Sequence, residues 1–176
     1  DTLLLFATGG GPKHKIIYDA LDPSLSGFVS ALKELMLNLS HQVVKDGEGA
    51  RKFITIQVIN ARSEKSAKNI ANFIANSSLV KTAIAGEDPN WGRIIMAIGN
   101  AQENINKDKL KIYFGNLLVA KNGCVNEEYI ENLAAKYLEN NEILIKVDVG
   151  EGNSSFTVWT CDFTEEYIRI NSDYRS

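Results

Sequence analysis

A change of hydrophobic period at Gly47-Glu48-Gly49 constrains what this chain can fold into more than any other feature. Before it, Leu25, Phe28, Val29, Leu32, Leu35, Met36, Leu39 and Val43 recur at three- and four-residue spacing. That is the stripe of an amphipathic helix running to about Val44. After it, Ile54, Ile56 and Val58 alternate with Thr55 and Gln57, the period of a strand with one buried face. Two glycines bracketing one carboxylate fit a helix C-cap followed by a tight turn. They also fit a turn that aims a single side chain into a cleft at little steric cost. Local pattern leaves both open.

Upstream, Asp22-Pro23 offers a capping carboxylate and a proline at the first helical position. Phe28 and Met36 on the stripe read as core residues. Residues Thr2 to Thr8 read as a buried strand, ended by Gly9-Gly10-Gly11-Pro12. The lysines that follow, Lys13 and Lys15, lack the Gly-Lys-Ser/Thr order of a phosphate-binding loop, so a surface loop is expected. Chains seldom open in mid-strand, so this one reads as a piece of something longer.

Downstream, Ser63 is placed to cap a helix with Ala67, Ile70, Ala71 and Ile74 inward. A short apolar piece, Leu79 to Ala85, leads into Gly86-Glu87-Asp88-Pro89-Asn90-Trp91-Gly92-Arg93. There Asp88-Pro89 is expected to start a helix carrying Ile94, Ile95 and Ile98. Trp91 reads as a core anchor and Arg93 as an ion-pair partner for Glu87 or Asp88. Leu110, Ile112 and Phe114 form a strand that turns at Gly115-Asn116 and returns over Leu117 to Ala120. Asn126 is expected to cap a helix whose inner face is Tyr129, Ile130, Leu133, Ala134, Tyr137 and Leu138. A strand over Ile143 to Val149 turns at Gly150-Glu151-Gly152-Asn153 and returns through Phe156 and Val158. Thr164 to Ile168 reads as a short helical piece before a polar end.

This alternation over residues 51–150 predicts an α/β (or α+β) unit with helices packed on a mixed sheet. Residues 1–50 read as part of a different unit. With 44% apolar and 23% charged residues among 176, a sizeable core is expected. A formal net charge of −3 without a basic cluster argues against nucleic acid. The apolar runs are far shorter than a membrane span, and no signal-peptide pattern is visible. Cys124 and Cys161 have no metal-ligand spacing, which makes a reduced, cytoplasmic setting the expectation. His14 and His41 are too few and too far apart to argue for a metal. No His-Glu-x-x-His helix or Gly-x-Ser-x-Gly elbow occurs. On composition and spacing alone the function is undetermined.

Five stretches taken together resemble one family. They are Asp1-Thr2-Leu3-Leu4-Leu5-Phe6-Ala7-Thr8-Gly9, Lys45-Asp46-Gly47-Glu48-Gly49-Ala50, Gly86 to Arg93, Trp159-Thr160-Cys161-Asp162, and Ile170-Asn171-Ser172-Asp173-Tyr174-Arg175-Ser176. They span the chain in order and resemble the ornithine acetyltransferase (glutamate N-acetyltransferase) family of arginine biosynthesis. The Asp-Pro-Asn-Trp-Gly-Arg and Asn-x-Asp-Tyr-Arg signatures are specific.

The resemblance implies a precursor that cleaves itself before a threonine, which then acts as nucleophile at the start of a β chain. The Ala-Thr-Met-Leu motif carrying it is absent here, so the chain looks like the C-terminal part of that β chain. No catalytic residue is expected within it. The resemblance further implies a ping-pong transfer in which the threonine takes acetyl from N-acetylornithine, releases ornithine and acetylates glutamate. Some members also accept acetyl-CoA, as a substrate rather than a resident cofactor, and no cofactor or metal is implied. Oxyanion donors and a substrate lysine would belong to the absent part.

Three substrate-binding positions carry over: Glu48 in the turn, Asn171 in the tail, and Ser176 at the last residue, where the family usually has threonine. A buried carboxylate such as Glu48 suits an ammonium, an asparagine can read an amide or a carboxylate, and Ser176 offers a hydroxyl. The resemblance places residues 1–46 at the end of a catalytic αββα sandwich and residues 47–160 in a smaller α/β module. Residues 161–176 would be a tail returning towards the active site. Its implied partners are an α chain and the rest of the β chain, in an α2β2 heterotetramer. The competing readings are a stand-alone, non-catalytic assembly module and a small-molecule-binding α/β module.

Overall fold

A computed structural model describes residues 2–173. The chain divides into two compact units, Asp1–Val43 and Val44–Ser176.

The first unit contains a 3-10 turn, Pro23–Leu25, and all but the last two residues of α1 (Ser26–Lys45). Asp22 starts it as expected: its carboxylate accepts from the Ser24 backbone N–H at 2.9 Å, with Pro23 in the first position. The strand expected over residues 2–8 does not form; this stretch has no regular structure and Leu3, Leu4, Leu5 and Phe6 are exposed. A strand needs a neighbour to take its backbone hydrogen bonds, and among the described residues of this unit there is no strand. The same lack overturns the core role of the α1 stripe. Phe28 is 63% exposed and Met36 46%, because residues 2–22 supply no element for the helix to bury its face against.

The second unit is a six-stranded mixed sheet in the order β4-β3-β2-β5-β1-β6. Its strands are β1 (Phe53–Ala61), β2 (Lys111–Phe114), β3 (Leu117–Lys121), β4 (Cys124–Val125), β5 (Glu142–Asp148) and β6 (Ser154–Cys161). β1 and β5 are parallel, and the other neighbouring pairs are antiparallel. The parallel pair needs a long crossover. It is made by α2 (Glu64–Ala75), α3 (Ser78–Ala85), α4 (Trp91–Asn100), the β2–β4 meander and α5 (Glu131–Leu138).

Register puts Ile56 opposite Ile145 and Val58 opposite Val147, with Ile112 and Phe114 opposite Val147 and Ile145. All six are buried on one face of the sheet. There α2 packs over β1 and β6 and against α4, and α5 packs on β2. Ile70, Ile74, Ile84, Ile94 and Leu138 complete the core. The other face carries half-exposed Thr55, Gln57, Tyr113, Lys146 and Trp159. This one-sided burial is why the strands alternate in sequence.

Two helix starts differ from the expected ones. Pro89 stands ahead of α4, and Asn90 is its cap, accepting from Arg93 N–H at 3.2 Å. Asn126 does not start α5. Its buried amide donates to the Leu118 carbonyl at 3.1 Å, tying the chain to β3, and the helix begins only at Glu131. Ile130 and Leu133, expected inward, are 57% and 50% exposed. The last helix, α6 (Glu165–Ser172), is longer than the expected piece and carries Asn171 in its final turn.

Candidate functional site

Glu48 stands at the tip of the turn between α1 and β1. The Gly47 N–H donates to Val44 O at 3.3 Å, and the Ala50 N–H donates to Gly47 O at 2.9 Å. Gly49 closes the turn with φ +69°, a left-handed conformation that favours glycine. Glycine is also required by contact. A Cβ at position 49 would lie 2.6 Å from the Tyr167 backbone nitrogen, so the first turn of α6 sits directly on Gly49.

Two of the three residues that follow β6, Asp162 and Thr164, tie the approach to that helix to the turn. Asp162, whose side chain is wholly buried, accepts from the backbone N–H groups of Arg51 and Lys52 at 2.8 and 3.0 Å. Such bonds satisfy donors that the turn leaves without a sheet partner. The Arg51 Nε stands 3.8 Å from the other Asp162 oxygen. Phe163 packs edge-on against Tyr167 with ring centroids 4.8 Å apart. Thr164 donates its hydroxyl to Gly49 O at 2.7 Å.

With α6 so placed, Asn171 reaches the turn. Its amide donates to Glu48 Oε2 at 2.8 Å and to Tyr167 O at 2.9 Å. Two of the residues singled out in the sequence, 123 positions apart, therefore meet. Ser176, the third, lies outside the described residues. The expectation of a buried Glu48 is corrected: its side chain is exposed, because it projects from the tip of the turn and Asn171 contacts one carboxylate oxygen. A helix C-terminus carries partial negative charge. The last turn of α6 beside the Glu48 carboxylate thus makes a spot suited to a cation such as an ammonium.

The second Gly-Glu-Gly turn behaves differently. Glu151 accepts from Arg62 Nη2 at 2.6 Å and from the Asn106 N–H at 2.7 Å. These bonds hold its carboxyl below the ordinary glutamate value of 4.5. Its charge is used within the fold, whereas the bond that Glu48 makes among the described residues is the one to Asn171.

The polar side chains of the Gly86–Arg93 stretch bond within the fold. Glu87 pairs with buried Lys52 at 2.9 Å, and Lys52 also donates to Leu138 O at 2.6 Å, near the end of α5. Arg93, expected to pair with Glu87 or Asp88, instead donates to Leu79 O at 2.9 Å and Thr82 Oγ1 at 3.2 Å on α3. Trp91 is half-buried against the core, as read. Sequence reasoning missed Lys52 and Thr164, whose partners lie 35 and 115 residues away. The one local signal was that Thr164 stands just before a helix.

A cleft of ≈ 890 Å³ opens beside the turn, lined by Gly49, Arg51, Thr82, Gly86, Thr164 and Glu166 among others. Neither Glu48 nor Asn171 lines it, so the pair is not the floor of this cleft. Among the described residues no group of three or more His, Cys, Asp or Glu side chains converges to hold a metal ion. No helix among them is long and apolar enough to cross a membrane.

The chain is similar to known proteins over its whole length. It is 51% identical to the arginine biosynthesis bifunctional protein ArgJ of Brucella suis, with all of this chain and 43% of that protein covered. It is likewise 51% identical to the protein of the same name from Caulobacter vibrioides, with the same coverage. The chain thus spans less than half the length of the curated relatives it matches. The crystal structure of arginine biosynthesis bifunctional protein ArgJ from Bacillus halodurans superposes with a TM-score of 0.83 at 36% identity. That match covers 89% of this chain and 74% of the other. The ArgJ family model matches residues 1–176, and this chain belongs to the ArgJ family.

Proposed function

We propose that this chain is part of an acetyltransferase of arginine biosynthesis that moves acetyl from N-acetylornithine to glutamate. The observation that carries the reading is the 2.8 Å hydrogen bond from Asn171 to Glu48. It joins two residues whose side chains suit the polar ends of an amino-acid substrate. A carboxylate at the C-terminal end of a helix attracts an ammonium. The side-chain amide of Asn171 fixes one oxygen of that carboxylate and leaves the other for the substrate. Its own carbonyl oxygen can accept from an amine or amide.

The nucleophile of this scheme is a threonine outside the chain. Its hydroxyl oxygen attacks the acetyl carbonyl, the C–N bond breaks and ornithine leaves with the hydroxyl proton on its α-nitrogen; the amine of glutamate then takes the acetyl from the ester and returns a proton to the threonine oxygen. The role of the present residues is binding: they hold the remote ammonium alike in the ground and transition states, which lowers KM. The scheme needs no resident cofactor, and acetyl-CoA is an alternative acetyl donor. An α chain and the rest of a β chain, assembled as α2β2 in the cytoplasm, would complete the enzyme. The alternatives of a free-standing assembly or binding module give no reason for Asn171 to be held on Glu48.

The test is steady-state kinetics of the complete protein with N-acetylornithine and glutamate. Ornithine and N-acetylglutamate should form, and Glu48→Ala should raise KM for N-acetylornithine by roughly tenfold or more, the worth of one hydrogen bond to a charged group. Residues 1–176 alone should transfer no acetyl. Unchanged kinetics in Glu48→Ala, or transfer by the isolated chain, would overturn the reading.

A further inference from the structure

Thr164 stands where a helix normally takes its N-cap, with extended backbone (φ −101°, ψ 167°) directly ahead of α6. Ser63, Ser77 and Asn90 occupy the same place before α2, α3 and α4. Each accepts a hydrogen bond from a first-turn N–H: Ser66, Val80 and Arg93 respectively. That is the local preference of such residues. Thr164 makes no cap bond. Thr164 is buried, 8% exposed as a residue, and its hydroxyl instead donates to Gly49 O at 2.7 Å, 115 residues away in sequence. A local rule is broken where a long-range link is made, and such breaks concentrate at functional sites.

The link joins the two segments whose side chains meet. Gly49 directly follows Glu48, and the seat of α6 on it leaves no room for a Cβ. Asn171 lies seven residues beyond Thr164, two turns along the same helix face. A slip of α6 on the turn would carry Asn171 away from Glu48. We propose that Thr164 is a positioning residue for substrate binding: its hydroxyl sets α6 on the Glu48 turn and thereby holds Asn171 on the Glu48 carboxylate. The inference rests on the reading of Glu48 and Asn171 as substrate-binding residues.

The test is a set of variants in the complete enzyme. Thr164→Val keeps the shape and removes the hydroxyl. It should raise KM for N-acetylornithine roughly tenfold while kcat stays within about twofold, because binding remote from the reacting carbonyl is shared by ground and transition states. Thr164→Ser, which keeps the hydroxyl, should restore KM to within about twofold of the parent. In an Asn171→Ala background Thr164→Val should add less than about twofold, since it acts through Asn171. Thr164→Ala, which removes the same hydroxyl without a new methyl group, must show the same pattern. The proposal is overturned if the two losses multiply, if serine is no better than valine, or if KM does not move. Should Glu48→Ala and Asn171→Ala themselves leave KM unchanged, the substrate-binding reading fails first. Should they raise it while Thr164→Val does not, only this inference fails.

Discussion

Asn171, on the last turn of α6, donates a 2.8 Å hydrogen bond to Glu48 at the tip of the turn before β1. The bond depends on how closely α6 can lie on the turn, and that closeness depends on Gly49.

Replacing Gly49 by alanine should therefore damage both stability and binding. The left-handed backbone disfavours a Cβ, and the Cβ would stand 2.6 Å from Tyr167 N. The expected loss is about 1–3 kcal/mol, read as a lower urea midpoint of the complete protein. KM for N-acetylornithine should rise in the same variant. A midpoint equal to the parent's would mean that α6 does not sit on Gly49.

Lys52 is a second point of failure. Its side chain is 5% exposed and satisfies Glu87, Leu138 O and Asn140 O together. Lys52→Met fills the space and leaves those acceptors without a donor. Unsatisfied buried groups cost about 1–3 kcal/mol. The lower half of that range is expected, because Glu87 is 46% exposed and water can take its place. Thermal or urea denaturation of the variant measures it, and an unchanged midpoint would show that the lysine holds nothing.

Stability should fall in acid. The hydrogen bonds from Arg62 and Asn106 lower the Glu151 carboxyl, and those from Ser66 and Asn69 lower Glu103. For a carboxylate lowered by folding, the stabilisation is complete above its unfolded value and is lost as pH drops through the folded one. The urea midpoint should therefore decline as pH falls from about 5 to about 3. Glu151→Gln should flatten part of that decline. The same slope in parent and variant would contradict the assignment.

Much of the second unit was legible from period alone. Ile54, Ile56 and Val58, and Ile143, Ile145 and Val147, alternate because one face of the sheet is covered and the other is not. Ser63 announced α2 because its cap bond is local. What escaped depended on partners far off in sequence. Leu3 to Phe6 have the composition of a strand, but among the described residues their unit holds no strand to pair with. Asn126 has the chemistry of a cap, but its amide goes to Leu118 O. Lys52 carries no local sign of burial, since Glu87 is 35 residues away. The candidate site was legible only as motifs resembling a family. Nothing in the spacing of Glu48 and Asn171 foretells that a turn and a helix 123 residues apart will meet.

The central claim is that Glu48 reads a substrate ammonium. It is tested most directly by comparing two acetylated amino acids that differ only in that group, N-acetylornithine and N-acetylnorvaline. Their kcat/KM values should be measured on the complete enzyme and on Glu48→Gln. A hydrogen bond between charged partners is worth about 1.5–3 kcal/mol, so the variant should lose roughly 10- to 150-fold on N-acetylornithine. On N-acetylnorvaline it should lose less than about twofold, because no charge is there to be read. Equal losses on both substrates, or no loss on either, would contradict the account.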